Sequence, residues 1–208
     1  MQSDIALMSG IWRSLAALIL ASIVIMGSPG PSTISVTAMG AAFGVRRSLG
    51  YACGLISGTI GVLLMVAIGV VALLVSIPRG AEVLGIVSAT YILYLAFRIA
   101  TAPPLDRSSE PGAAPVFGGG FLLAIANPKA YLAIAAVYAG TTVVAGDRGL
   151  DAIVKTALLS LMIVLIHIGW LLAGASLSRI LHDPVRSRLV NVALAAILVI
   201  MTLLALVR

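Results

Sequence analysis

Runs of apolar residues alternate along the chain with short stretches of glycine, proline and charge. A helix needs about 20 mainly apolar residues to cross the hydrocarbon core of a bilayer. Six runs meet that length: about Ile5–Ala42, Ser48–Ile77, Ala81–Thr101, Val116–Val144, Ala152–Leu181 and Leu189–Val207. The longer ones leave room for tilt or for a break. Between them stand Gly44-Val45-Arg46-Arg47, Pro78-Arg79-Gly80, Gly146-Asp147-Arg148-Gly149 and His182-Asp183-Pro184, all turn-forming sequences. The stretch from Ala102 to Pro115 carries Pro103, Pro104, Asp106, Arg107, Glu110, Pro111 and Gly112. It reads as the one clear polar linker.

The pattern predicts an all-α integral membrane protein with six transmembrane helices in a single domain. The linker over 103–115 divides it into half-repeats at about 1–102 and 116–208. With three spans in each half, the second half enters the membrane in the opposite sense to the first, as in inverted-repeat transporters. In each half the first span is broken by proline: Pro29 and Pro31 in one, Pro128 in the other.

Composition agrees with lipid as the main solvent. The chain has 208 residues, of which 61% are hydrophobic and 10% charged. Its mean hydropathy is +1.18. A soluble domain of this length could not hide so much apolar surface in one core. The net charge is +6, but the basic residues stand singly or in pairs between apolar runs. This distribution predicts no nucleic-acid partner and serves instead as a topology signal. Arg46, Arg47, Arg98, Arg107, Arg179, Arg186 and Arg188 fall on one side, and Arg79, Arg148, Lys155 and Arg208 on the other. The richer side is expected in the cytoplasm, with both termini periplasmic or extracellular. Arg13 runs against that assignment. The first run follows Arg13 in the manner of a signal peptide, but Ser28-Pro29-Gly30-Pro31 is no cleavage site, so it is expected to remain as a span. Cys53 is the single cysteine; it excludes an internal disulfide or two-thiol relay and reads as a small packing residue.

The breaks carry the candidate chemistry. In Gly27-Ser28-Pro29-Gly30-Pro31-Ser32-Thr33 the prolines end one helix, and Pro31 can open the next with Ser32 and Thr33 in its first turn. In lipid, irregular backbone is tolerated only inside protein or beside a water-filled cavity. A restarted helix presents unpaired N–H groups and a partial positive charge, which suit an anion such as a carboxylate. In Ala126-Asn127-Pro128-Lys129, Asn127 is a ready N-cap and Pro128 fits the position after it. Lys129 brings a charge to membrane depth, at a cost of about 2.5–3.5 kcal/mol on insertion scales. Asp4, Glu82, Asp106, Glu110, Asp147, Asp151 and Asp183 all read as loop or span-end residues, so a substrate anion or backbone carbonyls must face that ammonium.

Gly40 with Gly44, Gly54 with Gly58, and Gly61 have the spacing that lets helices approach closely. Thr59 could line a cavity. His167, one turn from Trp170, could relay protons or bond a neighbouring helix. Tyr91, Tyr94, Tyr131 and Tyr138 read as interface or core aromatics. No phosphate loop, metal-ligand spacing or nucleophile–base pair occurs, so no cofactor and no metal are expected. A membrane-embedded enzyme and an exporter of a metal or other ion are the alternatives, and both lack the acids, cysteines or histidines they would need.

Ser28-Pro29-Gly30-Pro31, Gly44-Val45-Arg46-Arg47-Ser48-Leu49-Gly50, Gly54-Leu55-Ile56-Ser57-Gly58 and Asn127-Pro128-Lys129-Ala130 together resemble the LysE-type (LysE/RhtB) amino-acid exporter family over the whole chain. That resemblance implies export of amino acids or similar metabolites across a bacterial inner membrane, driven by a proton or ion gradient. The partners would be the small-molecule substrate and the lipid bilayer, with a homodimer open to it. Relatives carry an acid in a Gly-Asp step where this chain has Gly58-Thr59, which weakens proton coupling at that position and argues against a cationic substrate. The substrate-binding residues expected are Pro29, Gly30, Pro31, Ser32, Thr33, Asn127, Pro128 and Lys129, with Thr59 and His167 lining the cavity or relaying protons.

Overall fold

A computed structural model describes residues 2–69, 79–101, 116–180 and 184–206. The predicted linker over 103–115 and the Pro78 and His182-Asp183 turn residues lie outside them. The described residues are helical apart from short breaks and turns, with no strand among them.

The first helix, α1 (Gln2–Ala21), runs into a π-helical turn over Ser22–Met26. The backbone then breaks over residues 27–30. Helix α2 (Pro31–Ala67) starts with Pro31 in its first turn and Gly30 extended before it, as the proline spacing predicts. After α2 come α3 (Gly80–Ala100), α4 (Phe117–Ala126), α5 (Pro128–Ala139), α6 (Arg148–Ile180) and α7 (Pro184–Leu206). Helices α4 and α5 form one apolar run bent by 63°. Asn127 sits at the bend with φ −82° and ψ 103°, and its side chain accepts from the Lys129 N–H. The cap and the following proline therefore act as the sequence predicts.

By length and apolar content, two helices among the described residues, Pro31–Ala67 and Arg148–Ser176, can each cross a membrane, three if the bent α4–α5 pair is one broken span and not a re-entrant loop. Along α6, Leu161, Leu165, Ile168 and Leu172 are exposed. Their spacing of three and four residues makes one continuous apolar stripe, which needs lipid beside it. Cys53 is also exposed, so it is not the packing residue expected.

The expected separator at Gly44–Arg47 is not a loop. Gly44 alone leaves helical geometry, with φ 71° and ψ 171°, and α2 turns a corner there. That conformation is open essentially to glycine alone. An added Cβ at Gly44 would meet nothing within 4 Å, so this glycine serves the corner and not the close packing expected of it. The Ser48 hydroxyl donates to Met39 O at 2.9 Å, pinning the two arms of the corner together. Gly44→Ala is expected to cost about 1–3 kcal/mol, because alanine must hold the strained backbone. Thermal melting of the purified protein in detergent measures it, and an unchanged melting temperature would contradict the reading.

Of the other glycines with packing spacing, Gly40, Gly54 and Gly58 do pack closely, whereas an added Cβ at Gly61 would make only an ordinary 3.6 Å contact with Ile125. Added Cβ atoms at Gly40 and Gly174 would overlap backbone across the α2–α6 contact, and those at Gly54, Gly58 and Gly120 would overlap atoms across the α2–α4 contact. Small residues on both sides let these helix backbones touch. Helices α3 and α7 pack on each other. The main core joins Val36, Met39, Tyr51, Leu55, Leu95, Ile99 and Leu123. A second cluster around Leu63, Ile134, Leu159 and Ile163 lies beneath the broken segments.

Asp151 and Lys155, expected as loop or topology charges, are both buried. They pair at 2.8 Å. Asp151 Oδ1 also accepts from the Val143 and Val144 N–H groups. Lys155 Nζ donates to Tyr138 O and Thr141 O and lies 4.3 Å from the centre of the Tyr138 ring. One turn of α6 thus supplies the missing partners of the α5–α6 connection, where non-helical backbone would otherwise leave polar groups unpaired.

Candidate functional site

The two proline breaks, about a hundred residues apart in sequence, are bonded directly to each other. Lys129 Nζ donates to Ser28 O at 2.8 Å, Ser28 Oγ at 2.8 Å and Pro29 O at 2.7 Å. An ammonium has three donors, and three oxygens stand around this one. The ion's partners are therefore carbonyls and a hydroxyl of the first break, and among the described residues no carboxylate joins them. Asn127 Nδ2 donates to Ser32 Oγ at 2.7 Å, a second tie between the same segments.

Local structure sets this geometry. Proline at positions 29 and 31 removes the N–H groups that would have gone to Ile25 O and Gly27 O in a continuous helix, and Ser28 Oγ and Trp170 Nε1 donate to those carbonyls instead; the same break leaves Ser28 O and Pro29 O to Lys129. Gly30 is needed for space: a Cβ there would lie 2.7 Å from Lys129 Cδ and Nζ. The Thr33 hydroxyl accepts from the Gly30 N–H at 2.9 Å and stands 3.1 Å from Gly30 O, to which it donates, which fixes the entry to α2. Beneath it, the buried Tyr51 hydroxyl donates to Ser35 Oγ, and Ser35 Oγ donates to Ser32 O. On the other side Trp170 Nε1 donates to Gly27 O at 3.1 Å, so α6 grips the break as well.

Around these bonds is a cavity of about 40 Å³, room for a few waters and too small for an amino acid. Gly30, Ser32, Thr33, Thr59, Asn127, Lys129 and His167 line it together with Met26, Ser28, Ala130, Ile134 and Ile163. Pro29, Pro31 and Pro128 are not in its wall; they shape the breaks that form it. The Thr59 hydroxyl is turned back to Leu55 O at 2.8 Å. His167 is buried with Nδ1 2.7 Å from Ile163 O of its own helix, not bonded to a neighbouring helix as expected. Among the first N–H groups past Pro128, that of Lys129 goes to Asn127 Oδ1 and that of Ala130 to Asn127 O. Sequence reasoning left Ser28 out of the candidate set, although its place beside Pro29 was signal enough, and it did not join Trp170 to the first break. No group of three or more metal-binding side chains occurs among the described residues.

The arrangement offers one cation, a polar wall of hydroxyls and an amide, and an apolar floor. It suits a small molecule with one anionic end. Comparison with known proteins gives the chain's family and relatives. The LysE type translocator family matches residues 22–208. A cysteine/O-acetylserine efflux protein of Salmonella typhimurium is 33% identical over 175 residues, 83% of this chain and 87% of the relative. The protein of that name from Escherichia coli K12 is 29% identical over 174 residues, again 83% of this chain and 87% of the relative. No solved structure gives a significant match.

Proposed function

The chain belongs to the LysE type translocator family, and from that premise we propose that it is a secondary active exporter of amino acids, or of small carboxylate-bearing metabolites like them, across the bacterial inner membrane. As a member of that family it is a membrane transporter and not an enzyme. The relatives named for cysteine and O-acetylserine efflux make small, polar, neutral amino acids the first candidates for the cargo.

The observation that carries the site assignment is the triple contact of Lys129 with Ser28 and Pro29. In the proposed cycle the substrate carboxylate competes with those oxygens for the Lys129 ammonium. The N-terminal end of α2, past Pro31, adds its partial positive charge, with Ser32, Thr33 and Asn127 alongside. Taking Lys129 away from the first break loosens the tie between the two broken segments. The segments then part far enough to enlarge the cavity around the cargo. In this reading the chain is one transporter domain of two inverted halves, at about 1–102 and 116–208, which rock about the site in alternating access. Both termini face the periplasm.

Flux through purified protein in liposomes tests the proposal. Vesicles loaded with L-cysteine or O-acetyl-L-serine are expected to exchange labelled amino acid across the membrane, and an imposed ion gradient is expected to drive net movement. Flux no faster than through protein-free vesicles would reject the amino-acid reading.

A further inference from the structure

The polar groups of the cavity are committed to one another, with one exception. Lys129 Nζ donates to the Ser28 and Pro29 oxygens, Asn127 Nδ2 to Ser32 Oγ, and Thr59 Oγ1 to Leu55 O. His167 lines the same cavity and is 5% exposed. Its Nδ1 meets the Ile163 carbonyl oxygen at 2.7 Å. A carbonyl only accepts, so Nδ1 carries the proton, and Nε2 of the neutral ring is left as an acceptor. Nε2 is buried and has no partner among the described residues. Buried polar atoms without partners are rare and have a reason. Nδ1 is turned back onto its own helix, so Nε2 is the ring nitrogen left for a molecule held in the cavity that His167 lines.

We propose that His167 Nε2 accepts a hydrogen bond from the amino group of the cargo and so selects amino acids over carboxylates that lack one. The inference rests on the amino-acid export reading above. An amino acid has two charged ends, and the Lys129 side of the cavity provides for only one of them. Among the described residues no Asp or Glu lines the cavity to take the ammonium. The hydroxyl that stands in the acid's place, Thr59, carries no charge and already donates to Leu55 O, and the oxygens at Ser28 and Pro29 hold Lys129. Nε2 is the lining acceptor that has no partner at all among the described residues. A site built around such an acceptor rejects a ligand without the matching donor, because binding that ligand leaves the acceptor buried and unpaired.

Competition in the same liposomes decides it. Labelled L-cysteine or O-acetyl-L-serine is challenged with the unlabelled amino acid and with its analogue bearing hydrogen for the amino group, 3-mercaptopropionate or 3-acetoxypropionate. The wild-type protein is expected to prefer the amino acid by about tenfold or more. His167→Leu is expected to bring that ratio close to one, and His167→Gln, which keeps an acceptor in its amide oxygen, to restore part of it. A His167→Leu protein that keeps the wild-type ratio overturns the inference while the export reading stands; wild-type vesicles that move neither amino acid overturn both. A measurement on the unaltered protein guards against a leucine variant that fails to fold. The chain has 2 histidines, so ¹⁵N-labelled imidazole signals are few and are assigned with His182→Gln. The His167 Nε2 signal is expected to move with L-cysteine and not with 3-mercaptopropionate. A signal that moves with neither, or equally with both, rejects the role.

Discussion

Lys129→Ala is expected to lower export by about 10- to 100-fold, the equivalent of one lost charge-assisted hydrogen-bonding contact of roughly 1.5–3 kcal/mol. Two losses combine. The cargo carboxylate loses its cation, and the first break loses the group that gathers Ser28 O, Ser28 Oγ and Pro29 O. Water in the cavity can take over those oxygens, so the protein should still accumulate in the membrane. Lys129→Arg is not expected to rescue the loss. A guanidinium presents its donors in a plane, whereas the three oxygens converge on a single nitrogen. Initial efflux rates, scaled to the amount of protein in the membrane, make the measurement. Undiminished export by the alanine variant would remove Lys129 from the site.

The second large effect falls on folding. Gly174→Val is expected to cost about 3 kcal/mol or more, at or beyond the upper end of overpacking in well-filled cores. A Cβ at Gly174 would overlap the backbone O, C and Cα of Thr37. No rotamer change relieves a clash with main chain, so α2 and α6 would have to separate. Their contact holds the Trp170 bond to Gly27 and the far wall of the cavity, so transport should fall along with stability. Gly174→Ala should show a smaller loss in the same direction. Membrane yield and melting temperature in detergent report the outcome, and a valine variant with wild-type melting would show that the helices do not meet this closely.

What the sequence revealed follows from what local chemistry can encode. Proline, asparagine and glycine act over one or two turns, and so the restarts at Pro31 and Pro128 and the cap at Asn127 were legible. Contacts across the chain were not. Nothing in the letters says that the ammonium of Lys129 ends on backbone oxygens about a hundred positions earlier, because every residue has a carbonyl and only the fold decides which are free. Gly44 shows a different limit. Its spacing from Gly40 is that of a packing motif, yet its positive φ makes it a corner, and spacing alone does not separate the two uses. Asp151 and Lys155 stood at the i,i+4 spacing of a helical ion pair. In the sequence Asp151 reads as a loop or span-end residue and Lys155 as a topology charge, because burial beneath the α5–α6 connection is a tertiary property.

Among the described residues the cation of the site has no acid beside it, and this bears on what the membrane voltage can do. A neutral amino acid carries one positive and one negative end and adds no net charge when it binds. Empty and loaded, the site then has the same charge, that of Lys129. A potential of 100 mV acts on one elementary charge with about 2.3 kcal/mol, but it acts equally on the outward and return legs. Its work cancels around the cycle unless some other ion rides on one leg only. Current measured during transport, with the amino acid itself electrically silent, would therefore count the coupling ions moved per molecule of cargo.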